Sequence, residues 1–473
     1  MKTDRVLLLA FLLALAVRIA VIDRPIWYDE SCTYWEARPE EKIPALTSIT
    51  PIPSYIVKSL AGRFDEPWML RLPFLAVGLA SILVFARAVR EWHGREAAGW
   101  TAILLALSPF HVWYTTEARM YGALLLAAAM MYLYLGRAIR GTGRGAWIGY
   151  GAGALIGVYH HPFTWLLVGT HGLYLLIERR GMFRPLVVTA IVVAAATAPA
   201  TWYVLVVHRL SSDRIGWIES RPAMAVAGTF YSFVMGLLFL PKLWWWALTG
   251  FAALLFGALT VRGAIAKRRE ALPVSMALVV PLFLVIAGSF VRDIYSDQTT
   301  RYLAFSEPFL ILLAALGLGT IRSRGMRAAA GAGVVLVLLL ALSPIHFLWD
   351  EVGTGRFEEA AEEIRTRILP GDVIISPSLV GLPVAYQLRG GLHREMRIGH
   401  SREVMAESHD SPRIWLLGMN HRSTRQFLWS PENIDLPASP APEGYRLVDH
   451  QVFPGRKPIS LTLYERAGGS GRR

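Results

Sequence analysis

Long apolar stretches separated by short polar connections recur over the first three quarters of the chain. A helix that crosses a membrane needs about 20 mainly apolar residues, and slightly shorter stretches are tolerated. The pattern therefore predicts an α-helical polytopic membrane protein with about eleven transmembrane helices. The predicted spans are residues 5–22, 68–88, 97–115, 118–138, 146–160, 163–178, 185–207, 243–261, 272–291, 302–320 and 327–347.

The longest connection between two predicted spans, residues 23–67, carries a helical pattern of its own. Residues 33–37 continue the pattern at helical spacing behind an acidic start. A second short helix is predicted over residues 51–60, because the proline at its beginning suits the first turn of a helix. We expect two amphipathic helices that lie on the membrane surface.

A further apolar segment, residues 223–242, is assigned by counting crossings. If this segment crossed the membrane, the basic connection that contains Arg262, Lys267, Arg268 and Arg269 would lie outside. Basic residues are enriched in cytoplasmic connections, so that arrangement is disfavoured. We therefore expect residues 223–242 to be half-inserted or interfacial. The number of full spans stays at eleven.

Arginines in three other short connections set the expected orientation. Arg87, Arg137 and Arg179 each lie in one of these connections, and each has two further arginines close by. The three connections are predicted to be cytoplasmic together with the N-terminus, so the chain leaves the last span on the external side near His346. We expect a multi-pass protein of the plasma (inner) membrane.

The composition agrees with this assignment and decides how the charge is interpreted. Of the 473 residues, 54% are hydrophobic and 18% are charged, which is too apolar for an ordinary soluble enzyme. The formal net charge of +13 is explained by topology signals, and no nucleic-acid partner is expected. Cys32 is the only cysteine, which excludes an intramolecular disulfide and a cysteine-based metal cluster.

The residues after the last predicted span have a different character. Residues 357–368 show the pattern of an amphipathic helix, and residues 373–376 that of a short buried strand. Two more strands are predicted at 413–418 and 459–464. These elements predict a small α/β extracytoplasmic domain, and the absence of a catalytic or nucleotide-binding motif favours a packing or acceptor-docking cap. The expected domains are residues 1–349 and 350–473.

The predicted external connections hold most of the unusual polar residues. Asp29 and Glu30 form a tandem acid beyond the first span, and Glu117 and Arg119 stand at the external start of the fourth. Charges left unpaired in lipid are costly, so Glu117 and Arg119 could simply pair with each other. Carboxylates, paired histidines and arginines at one depth also favour a functional site. The remaining residues at this level are Tyr121, His160, His161, Arg301 and Tyr302.

The order of these motifs resembles a known family. Asp29-Glu30 is followed by Pro51-Ile52-Pro53-Ser54-Tyr55, Arg71-Leu72-Pro73, Leu107-Ser108-Pro109, Glu117-Ala118-Arg119-Met120-Tyr121 and Arg301-Tyr302-Leu303 with Pro308. This order is similar to that of the multi-spanning GT-C glycosyltransferases of the protein O-mannosyltransferase and aminoarabinose transferase type. The resemblance covers residues 1–347 and is strongest over 23–165. The Pro-x-Pro element departs from the family because it lacks the histidine often found near it.

The resemblance implies a GT-C fold and an inverting hexosyl- or pentosyltransferase. Such an enzyme takes a sugar from a polyprenyl-phosphate carrier and passes it to a lipid, glycan or protein acceptor at the external face of the membrane. An acid of the first external loop acts at the reaction centre in these families, and Asp29 matches it, with Glu30 as its supporting acid. Glu117, Arg119 and Tyr121 match the motif that shapes the site beneath the loop.

The chemistry of the residue types agrees with this activity. A polyprenyl phosphate is a good leaving group, so its displacement mainly needs a cation at the phosphate and a base for the acceptor hydroxyl. A carboxylate can be that base, and a planar guanidinium suits a phosphate. We assign Asp29 as the base and Glu30 as a catalytic partner that orients it. The predicted donor-binding residues are Arg119, Arg301, Lys58, Tyr121, His160 and His161, supported by Glu117 and Tyr302.

No cofactor is assigned from the sequence. Asp29, Glu30 and a histidine could hold a divalent metal, but a carboxylate pair without fixed ligand spacing is weak evidence for one.

Two other membrane functions stay open as alternatives. A transporter or lipid flippase would also place charges near the membrane, but such proteins commonly show inverted repeats and charges at the midplane. A polymerase of polyprenyl-linked polysaccharide also works on external lipid-linked sugars. The soluble tail and the tandem acid in the first loop favour the transferase over both.

Overall fold

Two compact units make up the chain. A computed structural model describes residues 2–43, 52–60, 65–202, 218, 221–238, 240, 242–296, 299–347, 356–399, 411–419, 438, 440–454 and 458–467. By their internal contacts, the first unit comprises Met1–Asp23, Trp68–Leu237 and Lys242–His346, and the second comprises Arg24–Pro67, Leu238–Pro241 and Phe347–Arg473. The connection that was predicted to be the first external one thus belongs to the same unit as the C-terminal residues.

The described elements are mostly helical. In chain order the α-helices are α1 (Lys2–Ile19), α2 (Tyr28–Glu36), α3 (Ile52–Ser59), α4 (Pro67–His93), α5 (Arg95–Leu107), α6 (Pro109–Thr115), α7 (Tyr121–Ile139), α8 (Arg144–His160), α9 (Thr164–Glu178), α10 (Phe183–Trp202), α11 (Pro222–Met235), α12 (Leu243–Ala266), α13 (Arg268–Ser289), α14 (Glu307–Gly319), α15 (Arg324–Phe347), α16 (Phe357–Arg367) and α17 (Ser378–Gln387). Short 3₁₀ segments are Pro39–Glu41, Arg180–Met182, Thr300–Ser306 and Leu392–Glu395.

Each predicted span overlaps one or two helices in the described part of the chain, and many of these helices are suited to a membrane. Among the residues that the structure describes, seven segments are long and apolar enough to cross one, and the chain is an integral membrane protein. The other predicted spans form helices that are shorter or more charged, namely α1, α5 with α6, α8 and α9. The count of eleven therefore stays a prediction. The seven segments are Pro67–His93, Tyr121–Ile139, Arg180–Trp202, Leu243–Ala266, Arg268–Ser289, Thr300–Gly319 and Arg324–His346.

The predicted third span, residues 97–115, is wrong as one continuous helix. The structure breaks it at Ser108, which is extended and caps α6 by accepting a hydrogen bond from the His111 N–H at 3.2 Å. Pro109 occupies the first turn of α6, where its missing N–H is tolerated. The Ser-Pro pair thus ends α5 and starts a separate, fully buried helix that leads into the connection with Glu117.

Helix α11 covers most of the apolar segment 223–242, whose half-inserted or interfacial position stays a prediction. Its 14 residues span about 21 Å at 1.5 Å per residue, against about 30 Å of hydrocarbon. The helix ends at Gly236, whose φ of 80° is a left-handed conformation that suits glycine. A side chain at this position would also collide with Pro109.

Helix α14 lies at the centre of the helical unit. All of its residues except Gly319 are buried, and it packs against α5, α12 and α13. Its crossing with α12 is close because a glycine on each helix meets the backbone of the other. A Cβ atom at Gly263 would collide with the Leu313 carbonyl, and one at Gly317 with the Leu259 carbonyl.

The arginines that were interpreted as cytoplasmic signals meet at one carboxylate. Glu91, near the end of α4, accepts hydrogen bonds from Arg87 at 2.7 Å, from Arg137 at 2.8 Å and from Arg140 at 2.8 Å. Two of the predicted cytoplasmic connections are therefore joined at the same end of the helical unit.

The C-terminal part of the second unit is a five-stranded mixed sheet with the order β2-β1-β3-β5-β4. β1 runs parallel to β2 and β3, whereas β5 is antiparallel to β3 and β4. The predicted α/β domain is confirmed, and β1, β3, β5 and α16 lie where the sequence placed them. The strands are β1 (Val373–Ser376), β2 (Met396–Ile398), β3 (Arg413–Met419), β4 (Tyr445–Phe453) and β5 (Ile459–Arg466).

A buried carboxylate ties the start of the sheet together. Asp372 accepts two hydrogen bonds from the Arg413 guanidinium, at 2.9 and 2.6 Å, and one from Trp415 Nε1 at 2.9 Å. Burial alone would raise the pKa of Asp372, but these bonds and the Arg413 charge outweigh it and lower the pKa. The side chain is therefore an anion at neutral pH.

Candidate functional site

The tandem acid lies in the first turn of α2, in the second unit. Trp27 is extended, and the helix begins at Tyr28 directly after it. Acidic residues are favoured in the first turn because the helix dipole is positive there. Glu30 is fully buried, whereas Asp29 is partly exposed. Asp29 is therefore the member of the pair that a substrate can reach more easily.

Helix α3 packs on the other end of α2. The Ser54 hydroxyl donates a hydrogen bond to the Glu36 carboxylate, and Val57 is buried. Lys58 lies on the exposed face of this helix. The two short helices predicted in this loop are confirmed, and of the predicted site residues here Glu30 is the most enclosed and Lys58 the most exposed.

Glu117, Arg119 and Tyr121 lie where α6 gives way to α7, in the first unit. Glu117 is fully buried and accepts a hydrogen bond from Trp113 Nε1. Tyr121 starts α7 and is also buried, with its ring edge-on to that of Tyr114 at 4.6 Å. Arg119 is partly exposed. The connection is thus anchored by its aromatic neighbours.

The two predicted histidines have different environments. His160 ends α8, and its Nδ1 lies 2.7 Å from the Ile156 carbonyl of the same helix. His161 begins the next connection and accepts a hydrogen bond from the Phe163 N–H at 3.2 Å through its own Nδ1. The His160 side chain therefore contacts a backbone carbonyl at the end of its own helix, whereas the His161 side chain stabilises the turn that follows.

His161 meets the late Arg-Tyr pair. The rings of His161 and Tyr302 are 4.8 Å apart at an angle of 34°, and Phe163 packs edge-on against Tyr302. Burial lowers the pKa of His161 to about 3, and the Arg301 charge adds to this effect. The imidazole is therefore neutral at physiological pH. The structure brings together three predicted site residues, His161, Arg301 and Tyr302, from segments 140 residues apart in the chain.

A buried polar network in the helical unit has partners that sequence reasoning did not assign. Arg18, within α1, is fully buried and donates hydrogen bonds to Thr115 Oγ1 at 2.8 Å and to the Ala106 carbonyl at 3.0 Å. Its guanidinium also lies 2.9 Å from His111 Nδ1. A charge in the middle of a predicted span is the signal that could have found this network, because such a charge must be satisfied inside the bundle.

The network continues to the start of α14. Glu307 is fully buried, accepts a hydrogen bond from the Ser108 hydroxyl at 2.8 Å and interacts electrostatically with Arg18. The other ring nitrogen of His111 lies 3.3 Å from Ser81 Oγ. Helix α6, which leads into the connection with Glu117, is therefore fixed to α1, α4 and α14 by polar contacts.

In the described part of the chain, no group of three or more His, Cys, Asp or Glu side chains lies close enough to hold a metal ion. We assign no ligand set for a metal.

Comparisons with known proteins agree with this architecture. The model of the family described as dolichyl-phosphate-mannose-protein mannosyltransferase matches residues 50–204. The crystal structure of ArnT from Cupriavidus metallidurans in the apo state superposes with a TM-score of 0.58, at 14% sequence identity, over 100% of both chains. The chain has the fold of ArnT.

A second structure of the same protein contains a lipid phosphate. ArnT from Cupriavidus metallidurans bound to undecaprenyl phosphate matches with a TM-score of 0.58 and 15% identity, over 98% of this chain and 99% of that one. No sequence among the curated proteins matches the chain. The GT-C fold expected from the motif order is confirmed, and it includes the C-terminal sheet as well as the membrane helices.

Proposed function

We propose that the chain transfers a sugar from a polyprenyl-phosphate carrier to an acceptor at the external face of the plasma membrane. The observation that carries the proposal is the tandem acid on the first-loop helix of a GT-C fold. Asp29 is partly exposed and Glu30 is buried in the turn behind it. The complex of ArnT with undecaprenyl phosphate supports a lipid-phosphate donor.

The reaction is a single displacement at the anomeric carbon. The oxygen of the acceptor hydroxyl forms a bond to that carbon, and the hydroxyl proton passes to the Asp29 carboxylate. The bond from the anomeric carbon to the phosphate oxygen breaks, and its electron pair stays on the released polyprenyl phosphate. Attack opposite the leaving group inverts the anomeric configuration.

The remaining predicted residues serve the donor. Arg301, beside Tyr302 and the neutral His161, binds the carrier phosphate, because a guanidinium can form two parallel hydrogen bonds to phosphate oxygens. Arg119 is a second phosphate ligand, and Tyr121 and His160 shape the sugar site. Lys58 is a further donor-binding residue, and Glu117 and Tyr302 have supporting roles.

Glu30 and Glu117 differ from Asp29 in burial. An incoming substrate hydroxyl cannot reach a fully buried carboxylate, so we assign both glutamates to orientation of their neighbours. The acceptor is a lipid, glycan or protein hydroxyl. We propose that the N-terminus lies in the cytoplasm and the C-terminal domain outside.

The proposed activity is tested with the purified chain in liposomes that contain an extract of envelope lipids and glycans. The donors are radiolabelled hexoses and pentoses on a polyprenyl monophosphate, the same sugars on a polyprenyl diphosphate, and nucleotide sugars. We expect label to move to acceptor from a monophosphate donor alone. Transfer only from the diphosphate donor would indicate a polymerase. Movement of labelled lipid across the bilayer without transfer would indicate a flippase.

A further inference from the structure

The helix that carries the tandem acid is bound at its other end to the C-terminal domain. Trp35, in the last turn of α2, is 2% exposed and donates a hydrogen bond from Nε1 to the Leu382 carbonyl at 3.0 Å. Leu382 lies in α17, 347 residues further along the chain. The neighbouring Tyr34 is 3% exposed and packs edge-on against Tyr386 of α17, with ring centroids 4.8 Å apart.

Asp65, near the end of the connection 23–67, also takes part in the contact between α2 and α17. One carboxylate oxygen accepts hydrogen bonds from the Tyr34 hydroxyl at 3.1 Å and from Arg38 at 2.8 Å. The Asp65 carbonyl accepts a third from the Tyr386 hydroxyl at 2.5 Å. Burial and the Asp65 charge raise the pKa of Tyr34 to about 12, partly opposed by Arg38, so its hydroxyl stays a donor. Both ends of the first loop therefore meet α17.

The ionic pairs around this contact contribute less than the aromatic residues. A cavity of about 280 Å³ is lined by Arg38, Glu41, Asp65 and Arg389 among others. The Asp65 side chain is 57% exposed, so its ion pair with Arg38 is screened by water. Trp35 and Tyr34 also border this cavity, but they are only 2% and 3% exposed, so water screens their hydrogen bonds less. We therefore infer that the aromatic residues and their direct hydrogen bonds contribute most of the stability of the contact between α2 and α17.

We propose that the C-terminal domain is a positioning element of the transferase site, because α17 holds α2 through Trp35, Tyr34 and Asp65 and so fixes where Asp29 and Glu30 stand. A helix of nine residues is a rigid body, and the acids lie little more than one turn from Tyr34. A displacement of the aromatic end therefore moves the acids. Misplacement of a catalytic group by about 1 Å can cost as much as 100-fold in rate. This inference rests on the proposed sugar transfer for its kinetic readout.

The test uses two variants and a matched control in the full-length protein. Tyr386→Phe removes only the hydroxyl that binds the Asp65 carbonyl, and Trp35→Phe removes the indole N–H. The control is Tyr445→Phe, which deletes a similar hydroxyl bond, to the Ser411 carbonyl at 2.7 Å, within the C-terminal domain and away from α2.

Cys32 supplies a readout that does not depend on activity. It is the single cysteine of the chain, it lies in α2 between the acids and Tyr34, and it is 6% exposed. If α17 holds α2, loosening the contact should speed the reaction of Cys32 with a membrane-impermeant maleimide. We expect a rise of about fivefold in labelling rate for Tyr386→Phe, the factor that corresponds to one lost hydrogen bond. Tyr445→Phe should leave the rate unchanged.

In the transfer assay, Tyr386→Phe and Trp35→Phe should lower kcat by about fivefold or more with an unchanged KM for the donor, because the acid and not the donor site is displaced. Wild-type kcat together with wild-type Cys32 labelling in Tyr386→Phe would overturn the inference, as would equal losses in Tyr445→Phe. If Trp35→Phe fails to fold, the result for Tyr386→Phe alone tests the inference. If no protein, including the wild type, transfers sugar while Cys32 labelling still responds, the proposed function has failed and the mechanical coupling stands.

Discussion

The guanidinium of Arg18 donates a hydrogen bond to the hydroxyl of Thr115, 97 residues away along the chain, at 2.8 Å. This bond links the first helix to α6, the short helix that leads into the connection with Glu117 and Arg119. The Arg18 side chain is fully buried, and its other hydrogen-bonding contacts are to backbone carbonyls and to His111. A lysine would keep the charge but could not reach all of these acceptors.

We expect Arg18→Lys to lower the free energy of unfolding by about 2 kcal/mol, because a buried acceptor that loses its donor costs about 1–3 kcal/mol. The matched control is Arg5→Lys, since Arg5 lies on the same helix and is exposed. Thermal unfolding in detergent measures both. An equal Tm for the two variants would show that the buried fork geometry does not matter.

The close crossing of α12 and α14 gives a second stability prediction. Gly263→Ala places a methyl group against the Leu313 carbonyl, so it should destabilise the helical unit by about 1–3 kcal/mol through overpacking. Gly257→Ala, on the same helix with no atom within 4 Å of the added Cβ, should be neutral or stabilising by up to about 1 kcal/mol. The same thermal assay compares them, and a stabilising Gly263→Ala would contradict this packing.

The low pKa of Asp372 predicts an acid-sensitive sheet. A carboxyl whose pKa is depressed in the folded state contributes stability above its ordinary pKa of about 3.9, and this stability is lost as the pH falls through the folded value. Hydrogen exchange of β1 and β3 should therefore accelerate below about pH 4, after correction for the intrinsic rate. Asp372→Asn should show weaker protection at pH 7 and little change on acidification. Identical pH profiles would mean that Asp372 is not the acid-sensitive group.

Arg301 gives a prediction about donor binding. If its guanidinium binds the carrier phosphate, Arg301→Ala should raise the donor KM by about tenfold or more, since a charged hydrogen bond contributes about 1.5–3 kcal/mol. Arg292→Ala is the control, because Arg292 is an exposed arginine of the same connection. A donor KM for Arg301→Ala equal to that of the control would remove Arg301 from the phosphate site.

The helices and several strands could be predicted because local patterns determine them. Apolar length located the spans, and proline at residue 51 marked the start of α3. The break at Ser108 was readable in principle, since Ser-Pro is a strong helix start, but the apolar residues on both sides gave one continuous stretch. β2 has three residues and β4 alternates poorly, so neither stands out from a loop. Helix α17 contains Pro383, which is a signal against helix.

The candidate site was only partly predictable for a different reason. Residue type and order indicated Asp29, Glu30 and the Arg301–Tyr302 pair, because their chemistry is unusual beside a membrane. The contact of Trp35 with Leu382 joins residues 347 positions apart through a backbone carbonyl, which any residue could supply. Sequence pattern therefore cannot indicate it. Sequence pattern also cannot identify the partners of Arg18, although a charge within an apolar span does indicate that it must have partners.

The most direct test of the central claim is sugar transfer by Asp29→Asn from a radiolabelled polyprenyl-monophosphate sugar, in membranes with matched expression. Glu30→Gln and the exposed Asp23→Asn are measured beside it. Loss of a positioned base costs about 100- to 10,000-fold, so Asp29→Asn should fall to that extent in kcat, while Asp23→Asn keeps the wild-type rate. Wild-type turnover by Asp29→Asn would contradict the assignment of Asp29 as the base that accepts the acceptor proton.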